Sequence, residues 1–294
     1  MFVTRLISGI VLVAIALITI LSGGPILFFT LLVISLVGMN ELYRAVKVED
    51  RTEGLSPLAL VGYAGALLYY ILVYFLTDVN NISGEMETGI TSVLMQESGS
   101  FMLGLLVLIL VAMMFVYVFT YPRYRSEQVM SAFFGVVYVA VMLSYIFKTR
   151  SLQDGRFIVW LIFICSWGCD TCAYCVGMLI GKHKMSPKLS PKKSVEGAVG
   201  GVAGAALLGA VYAAAAGRFL TGGKGLILEF AVISAVGALI SMVGDLAASA
   251  IKRNHDIKDY GKLIPGHGGI LDRFDSVIFT APIIYFLAVL MIGQ

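Results

Sequence analysis

The chain has 294 residues, 59% of them hydrophobic and 13% charged, with a mean hydropathy of +0.92. A soluble globular chain is about a quarter charged, so this composition excludes an ordinary water-soluble domain, and three histidines and four cysteines are too few for a disulfide scaffold. The net charge of +3 says little about partners beyond giving no reason to expect a nucleic acid.

Nine continuously apolar runs follow one another, at about 3–22, 25–44, 56–77, 101–121, 129–148, 156–180, 195–216, 226–251 and 275–292. A helix needs about 18 or more such residues to cross a bilayer. None of the runs alternates, and in lipid only helices or closed barrels satisfy their own backbone groups, so helices are expected. The first run follows Arg5 and could pass for a signal peptide. Leu6 to Leu21 is long for one, however, with no clear cleavage site before Pro25, and a retained helix is expected. The fold class expected is all-α: a polytopic helical bundle forming one membrane domain over 1–294, with a polar cavity facing the cytoplasm. Residues 1–150 would serve as scaffold or dimer helices and 156–294 as the catalytic part.

Orientation follows from Lys and Arg. Sixteen of the 21 fall at the N-terminal edge or in alternate joints that share its side, leaving Lys148, Arg150, Arg156, Arg218 and Lys224 on the other. The positive-inside rule then places the N-terminus in the cytoplasm. The joint 148–156, with three positive charges outside, runs against the trend. Compact size and the absence of targeting signals suggest a multi-pass protein of the bacterial plasma membrane.

Two cytoplasmic joints are rich in charge, Gly and Pro: GKHKMSPKLSPKKSVEG from Gly181 to Gly197, and IKRNHDIKDYGKLIPGHGGILDRFDS from Ile251 to Ser276. Around them are acids in the wrong solvent. Asp170 lies ten residues from the end of its run, roughly 15 Å deep, and Asp245 seven residues before Lys252, about 10 Å deep. A central Asp costs about 2.5–3.5 kcal/mol on insertion scales, so each needs a partner or water. Ser241, Asp245, Ser249 and Lys252 recur at helical spacing and form one polar stripe; a plain helix–helix clasp would use the same residues.

Asp272 and Asp275, three apart, share a face if helical. Alone they read as well as helix caps. Pro265-Gly266-His267-Gly268-Gly269 just before them can bring backbone N–H groups to phosphate oxygens, and Lys252, Arg253, Lys258, Lys262 and Arg273 surround the loop. Carboxylates, a Gly loop and cations in one window suit a metal and a polyphosphate. The four cysteines between Cys165 and Cys175 lie on one span, where a single helix cannot wrap a tetrahedral ion, and read as packing residues.

The stretch S-x-x-K-R from Ser249, then Lys258-Asp259, then PGHGGILDRFDS to Ser276 resembles the signature of phosphatidate cytidylyltransferases, the CDP-diacylglycerol synthases. Asp170-Thr-x-Ala-Tyr-x-x-Gly, Ser190-Pro191-Lys192-Lys193-Ser194 and Glu196-Gly197 look like the same family. Ala248, where the family often carries a polar residue, and the cysteines around Asp170 depart from it. The resemblance covers 160–294 well and the first half only as a set of helices. It implies a helical membrane enzyme, often a homodimer, that uses Mg²⁺, with room for a second, monovalent cation. Asp245 and Asp272 would be metal ligands with Asp275 beside them. Lys252, Arg253, Lys258, Asp259, His267 and Arg273 would be catalytic. Ser249, Gly266, Gly268, Gly269, Lys192, Lys193, Ser194 and Asp170 would bind substrate.

The expected reaction joins CTP to phosphatidic acid, giving CDP-diacylglycerol and pyrophosphate. The lipid phosphate that attacks is already ionised at neutral pH, so charge neutralisation and positioning carry the barrier and no strong general base is needed. Buried acids also mark ion pathways, which makes a cation-coupled transporter the rival from another class. A CTP transferase acting on another lipid phosphate would share the same residues.

Overall fold

The computed structural model describes residues 2–49, 56–82, 97–220, 226–266 and 268–293, with side chains described from Ile7 onward except at 78–82 and Arg218. Its helices are α1 (Phe2–Ser22), α2 (Gly24–Ala45), α3 (Pro57–Ile82), α4 (Ser98–Phe119), α5 (Ser126–Arg150), α6 (Gly155–Ile180), α7 (Val195–Ala216), α8 (Ile227–Asn254) and α9 (Leu271–Ile292). Eight of them, α2 to α9, are long and apolar enough to cross a bilayer over their described residues, and α1 is a 21-residue apolar helix ahead of them. The chain is an all-α, multi-pass membrane protein, as its unbroken apolar runs require.

Two elements depart from the expected pattern. Helix α9 begins at Leu271, so Asp272 and Asp275 lie within its first turns. The joint after α6 holds a short antiparallel hairpin, β1 (Lys184–Ser186) with β2 (Ser190–Ser194). Helices α5 and α6 each contain a π-helical turn, at Val136–Val141 and Ile164–Gly168.

Contacts divide the chain into two units, 24–144 and 1–23 with 145–294. In the first, Ser35 Oγ and Tyr70 Oη, 2.7 Å apart, tie α2 to α3, and Tyr43 Oη donates to the Ala132 carbonyl at 2.7 Å. Ser56 starts α3 by accepting the N–H of Ala59 at 3.1 Å.

The second unit is built around small residues. Buried Gly197, Gly201, Ala205, Gly209 and Ala213 recur every fourth position along α7. Lipid supplies no hydrophobic drive between helices, and small side chains let backbones come close enough for dispersion to hold them. A Cβ on Gly201 would lie 3.0 Å from Cys169 Sγ of α6 and from Met242 Cε of α8. Cys169 sits fully buried with Ala205, Ala238 and Met242, and Cys165 packs beside Gly237; these two thiols are packing residues. Helices α8 and α9 meet at Gly244, where a Cβ would lie 3.0 Å from the Asp275 carbonyl. The unit also holds α1, whose Ser8 Oγ donates to the Pro265 carbonyl at 3.2 Å.

Candidate active site

Five segments of the second unit bring charge to one place. Helix α6 contributes Asp170, two residues after the π turn, whose extra residue re-aims the helical face that follows. Strand β2 contributes Lys192 and Lys193. Neighbouring strand residues point opposite ways, so Lys192 is exposed, while Lys193 is half-buried and its Nζ pairs with Oδ2 of Asp245. The hairpin is anchored by Glu196, whose carboxylate accepts the N–H groups of Lys182 at 3.1 Å and His183 at 3.2 Å and lies 2.6 Å from His183 Nδ1. Ser194 Oγ accepts the N–H of Gly197 at 3.1 Å and so caps α7.

Helix α8 contributes Asp245, Ser249 and Lys252 on the stripe expected of them, above a buried Ser241. Lys252 Nζ lies 2.8 Å from Asp272 Oδ1, with only 13% and 4% of the two side chains exposed. The other oxygen of Asp272 accepts the N–H of Tyr260 at 2.9 Å and of Gly269 at 3.0 Å. The loop between α8 and α9 is therefore folded onto this one carboxylate. Gly266 and Gly268 have φ of 78° and 88°, the left-handed region that favours glycine. The Ile264 N–H donates to the Gly268 carbonyl at 2.9 Å, closing the turn between them.

Helix α9 contributes Asp272 and Asp275, one turn apart on one face, and Arg273. Asp275 Oδ1 accepts the N–H of Ser276 at 2.8 Å. Arg273 Nε is buried without a hydrogen-bond partner. Across the helices Asp170 feels the charges of Lys193, Asp245 and Arg273, and Asp275 those of Asp245, Lys252 and Asp170. A cavity of about 230 Å³ opens here. It is lined by Asp170, Asp272, Arg273, Asp275 and Ser276 together with Trp167 and with Gly9, Leu12 and Val13 of α1.

The structure thus gathers Asp170, Lys193, Asp245, Lys252, Asp272, Arg273 and Asp275. Gly268 and Gly269 lie against Asp272, Gly266 turns the same loop, and Ser249 is half-buried on the α8 stripe. Lys192, Arg253, Lys258 and Asp259 are exposed, and Asp259 Cβ comes within 3.5 Å of where a Cβ on Gly268 would stand. His267 lies outside the described residues.

Two contributors were missed from sequence. Tyr260 is buried in an otherwise polar loop; its hydroxyl donates to the Ala248 carbonyl at 3.1 Å and Lys252 Nζ lies 5.3 Å from its ring centroid. A lone aromatic inside a charged joint was the available signal. The α1 wall left no local signal at all.

Chemically, the site offers hard carboxylate oxygens interleaved with ammonium and guanidinium groups. Among the described residues no three His, Cys, Asp or Glu side chains form a closed ligand group. Mg²⁺ in phosphate-handling sites is held by one or two carboxylates and substrate oxygens, so a protein cage is not required. The lysine ammonium groups resting on Asp245 and Asp272 are monovalent stand-ins for such a cation, and the donor set fits it.

The family model for the cytidylyltransferase family matches residues 3–291. The phosphatidate cytidylyltransferase of Bacillus subtilis (strain 168) is 30% identical over 293 residues, 97% of each chain. That of Staphylococcus saprophyticus is 30% identical over 234 residues, 76% of this chain and 87% of its own. That of Staphylococcus epidermidis (strain ATCC 35984) is 28% identical over 289 residues, 97% and 98%.

Proposed function

The chain belongs to the cytidylyltransferase family, and on that premise we propose that it transfers the CMP moiety of CTP to phosphatidic acid, giving CDP-diacylglycerol and pyrophosphate. The observation that carries this reading is the convergence of Asp170, Asp245, Asp272 and Asp275 with Lys193, Lys252 and Arg273 beside an apolar wall from α1. A water-soluble polyphosphate and a lipid phosphate need such a boundary to meet.

An ionised oxygen of the lipid phosphate attacks the α-phosphorus of CTP, and the bond to pyrophosphate breaks. Both reactants are anions, so the work of the chain is to neutralise and align them. Lys193 and Lys252 pair with the acids and would neutralise a phosphate brought among them, and Arg273 offers a buried N–H with no hydrogen-bond partner. The Gly266–Gly269 loop lets backbone approach a phosphate closely, with Ser249 on the adjoining helix face. Asp245 and Asp272, with Asp275 beside them, would hold Mg²⁺, which when bound supplies charge neutralisation at phosphate oxygens. The exposed Lys192, Arg253, Lys258 and Asp259, together with His267, belong to the same reading as groups that meet the nucleotide. Ser194 serves it through the cap that fixes Lys193.

The Lys and Arg distribution supports an acidic site facing the cytoplasm of a bacterial cell from its plasma membrane. The homodimer implied by the family signature is part of the same reading. The test is to incubate the reconstituted chain with labelled CTP, Mg²⁺ and phosphatidic acid and to follow a lipid-soluble CDP product with pyrophosphate. No product from correctly inserted protein would overturn it, and wild-type turnover in Asp245→Asn would refute the role given to that residue alone.

A further inference from the structure

The arginines of the 148–156 joint run against the charge distribution of the chain, and the structure gives them a shared setting. Arg150 ends α5 and Arg156 opens α6. Between them, the end of α1 and α7 lies a groove of about 790 Å³, lined among others by Ile20, Phe157, Trp160 and Phe219. It is separate from the acidic site: Ser8 of α1 touches the Pro265 loop, and Ile20 stands twelve residues further on, about 18 Å along the helix.

Arg150 Nε donates to the Ile20 carbonyl at 2.9 Å, capping the end of α1. That uses one of its five N–H donors. The Arg156 guanidinium lies 4.8 Å from the Phe157 ring centroid. Both arginines line the same groove. Among the described residues no ion pair joins either of them to a carboxylate, that of the buried Asp154 in the same joint included. Guanidinium forks match a phosphate, and a volume of several hundred Å³ suits an organic ligand rather than a lone ion. The remaining walls are apolar and aromatic, the composition found where side chains meet lipid headgroups.

We propose that this groove binds an anionic phospholipid, its phosphate held between Arg150 and Arg156 and its acyl chains lying along Trp160 and Phe219. The site is distinct from the one that receives the lipid substrate, and it does not depend on the reaction assigned there. Near a membrane surface each such cation contributes about fivefold in affinity for anionic lipid.

Trp160 reports on the groove directly, because the chain has two tryptophans and Trp167→Phe leaves it alone. The full chain is reconstituted in phosphatidylcholine vesicles carrying a minor fraction of brominated-acyl phosphatidylglycerol or brominated-acyl phosphatidylcholine. The anionic quencher should reach half-maximal quenching at a clearly lower fraction than the zwitterionic one. Arg156→Gln should lose about fivefold of that preference, Arg156→Lys should retain part of it, and rising salt should erode it with the arginines intact. Soluble glycerol phosphate should leave the quenching unchanged. Equal quenching by both lipids, an undiminished preference in Arg156→Gln, or relief by glycerol phosphate would each overturn the proposal. If Arg156→Gln fails to insert, the salt dependence with the arginines intact decides in the same way.

Discussion

Lys252 Nζ lies 2.8 Å from Oδ1 of Asp272, a residue 20 positions further on and in the next helix. The same carboxylate takes two backbone N–H groups through its second oxygen. One side chain therefore fixes the end of α8, the connecting loop and the start of α9.

Removing one partner of a buried pair leaves an uncompensated charge and costs about 3–5 kcal/mol, whereas replacing both with apolar groups is often tolerated. Asp272→Leu should lower Tm strongly, and adding Lys252→Met should recover part of the loss. Turnover should stay at least about 100-fold down in both, because the double variant restores packing and no electrostatics. Thermal unfolding and labelled-CTP assays of the two variants check this; recovery of turnover in the pair would refute a direct role for these residues.

Gly268 should tolerate no side chain. Its φ is 88°, and a Cβ there would stand 2.9 Å from Asp272 Oδ2. Gly268→Ala should cost about 1–3 kcal/mol and lower turnover, because the strain falls on the carboxylate that orders the loop. Gly104→Ala, with nothing within 4 Å of the new atom, is the control and should leave both unchanged.

Asp245→Asn should raise the Mg²⁺ concentration for half-maximal activity by about tenfold or more, a difference of about 1.4 kcal/mol. Chelation should abolish turnover of the wild-type chain and added Mg²⁺ should restore it. An Asp245→Asn enzyme with an unchanged Mg²⁺ response would remove this residue from the metal site.

The α7 stripe predicts a stability effect away from the chemistry. Gly201→Leu forces a large side chain against Cys169, Ala173 and Met242, and overpacking of this kind costs about 1–3 kcal/mol or more. Leu207→Ala, at a position 65% exposed on the same helix, should leave Tm nearly unchanged. The two Tm values in one detergent decide it.

The helices were legible because lipid leaves the backbone one local solution, and an unbroken apolar run announces it. The start of α9 was legible less closely: the apolar run begins at 275 and the helix at Leu271, because the loop's N–H groups and Lys252 satisfy Asp272, partners separated from it in sequence. The hairpin 184–194 was hidden for a related reason: Lys, Ser and Pro give no alternation, and its base is held by Glu196. Asp170 and Asp245 stood out because a carboxylate in an apolar run demands explanation. That Lys193 rather than Lys192 reaches Asp245 depends on strand phase, which a sequence read as a loop does not supply.

The bond from Ser8 to Pro265 also bears on how the molecule is made. Its two residues are 257 positions apart, and ribosomes add roughly 5–20 residues per second, so the first helix enters the bilayer on the order of ten seconds to a minute before its resting place exists. During that interval Leu12 and Val13 lack the part of their surroundings that α9 supplies. The contact can form only once the Pro265 loop has been made, and the acidic cavity has no complete wall before then.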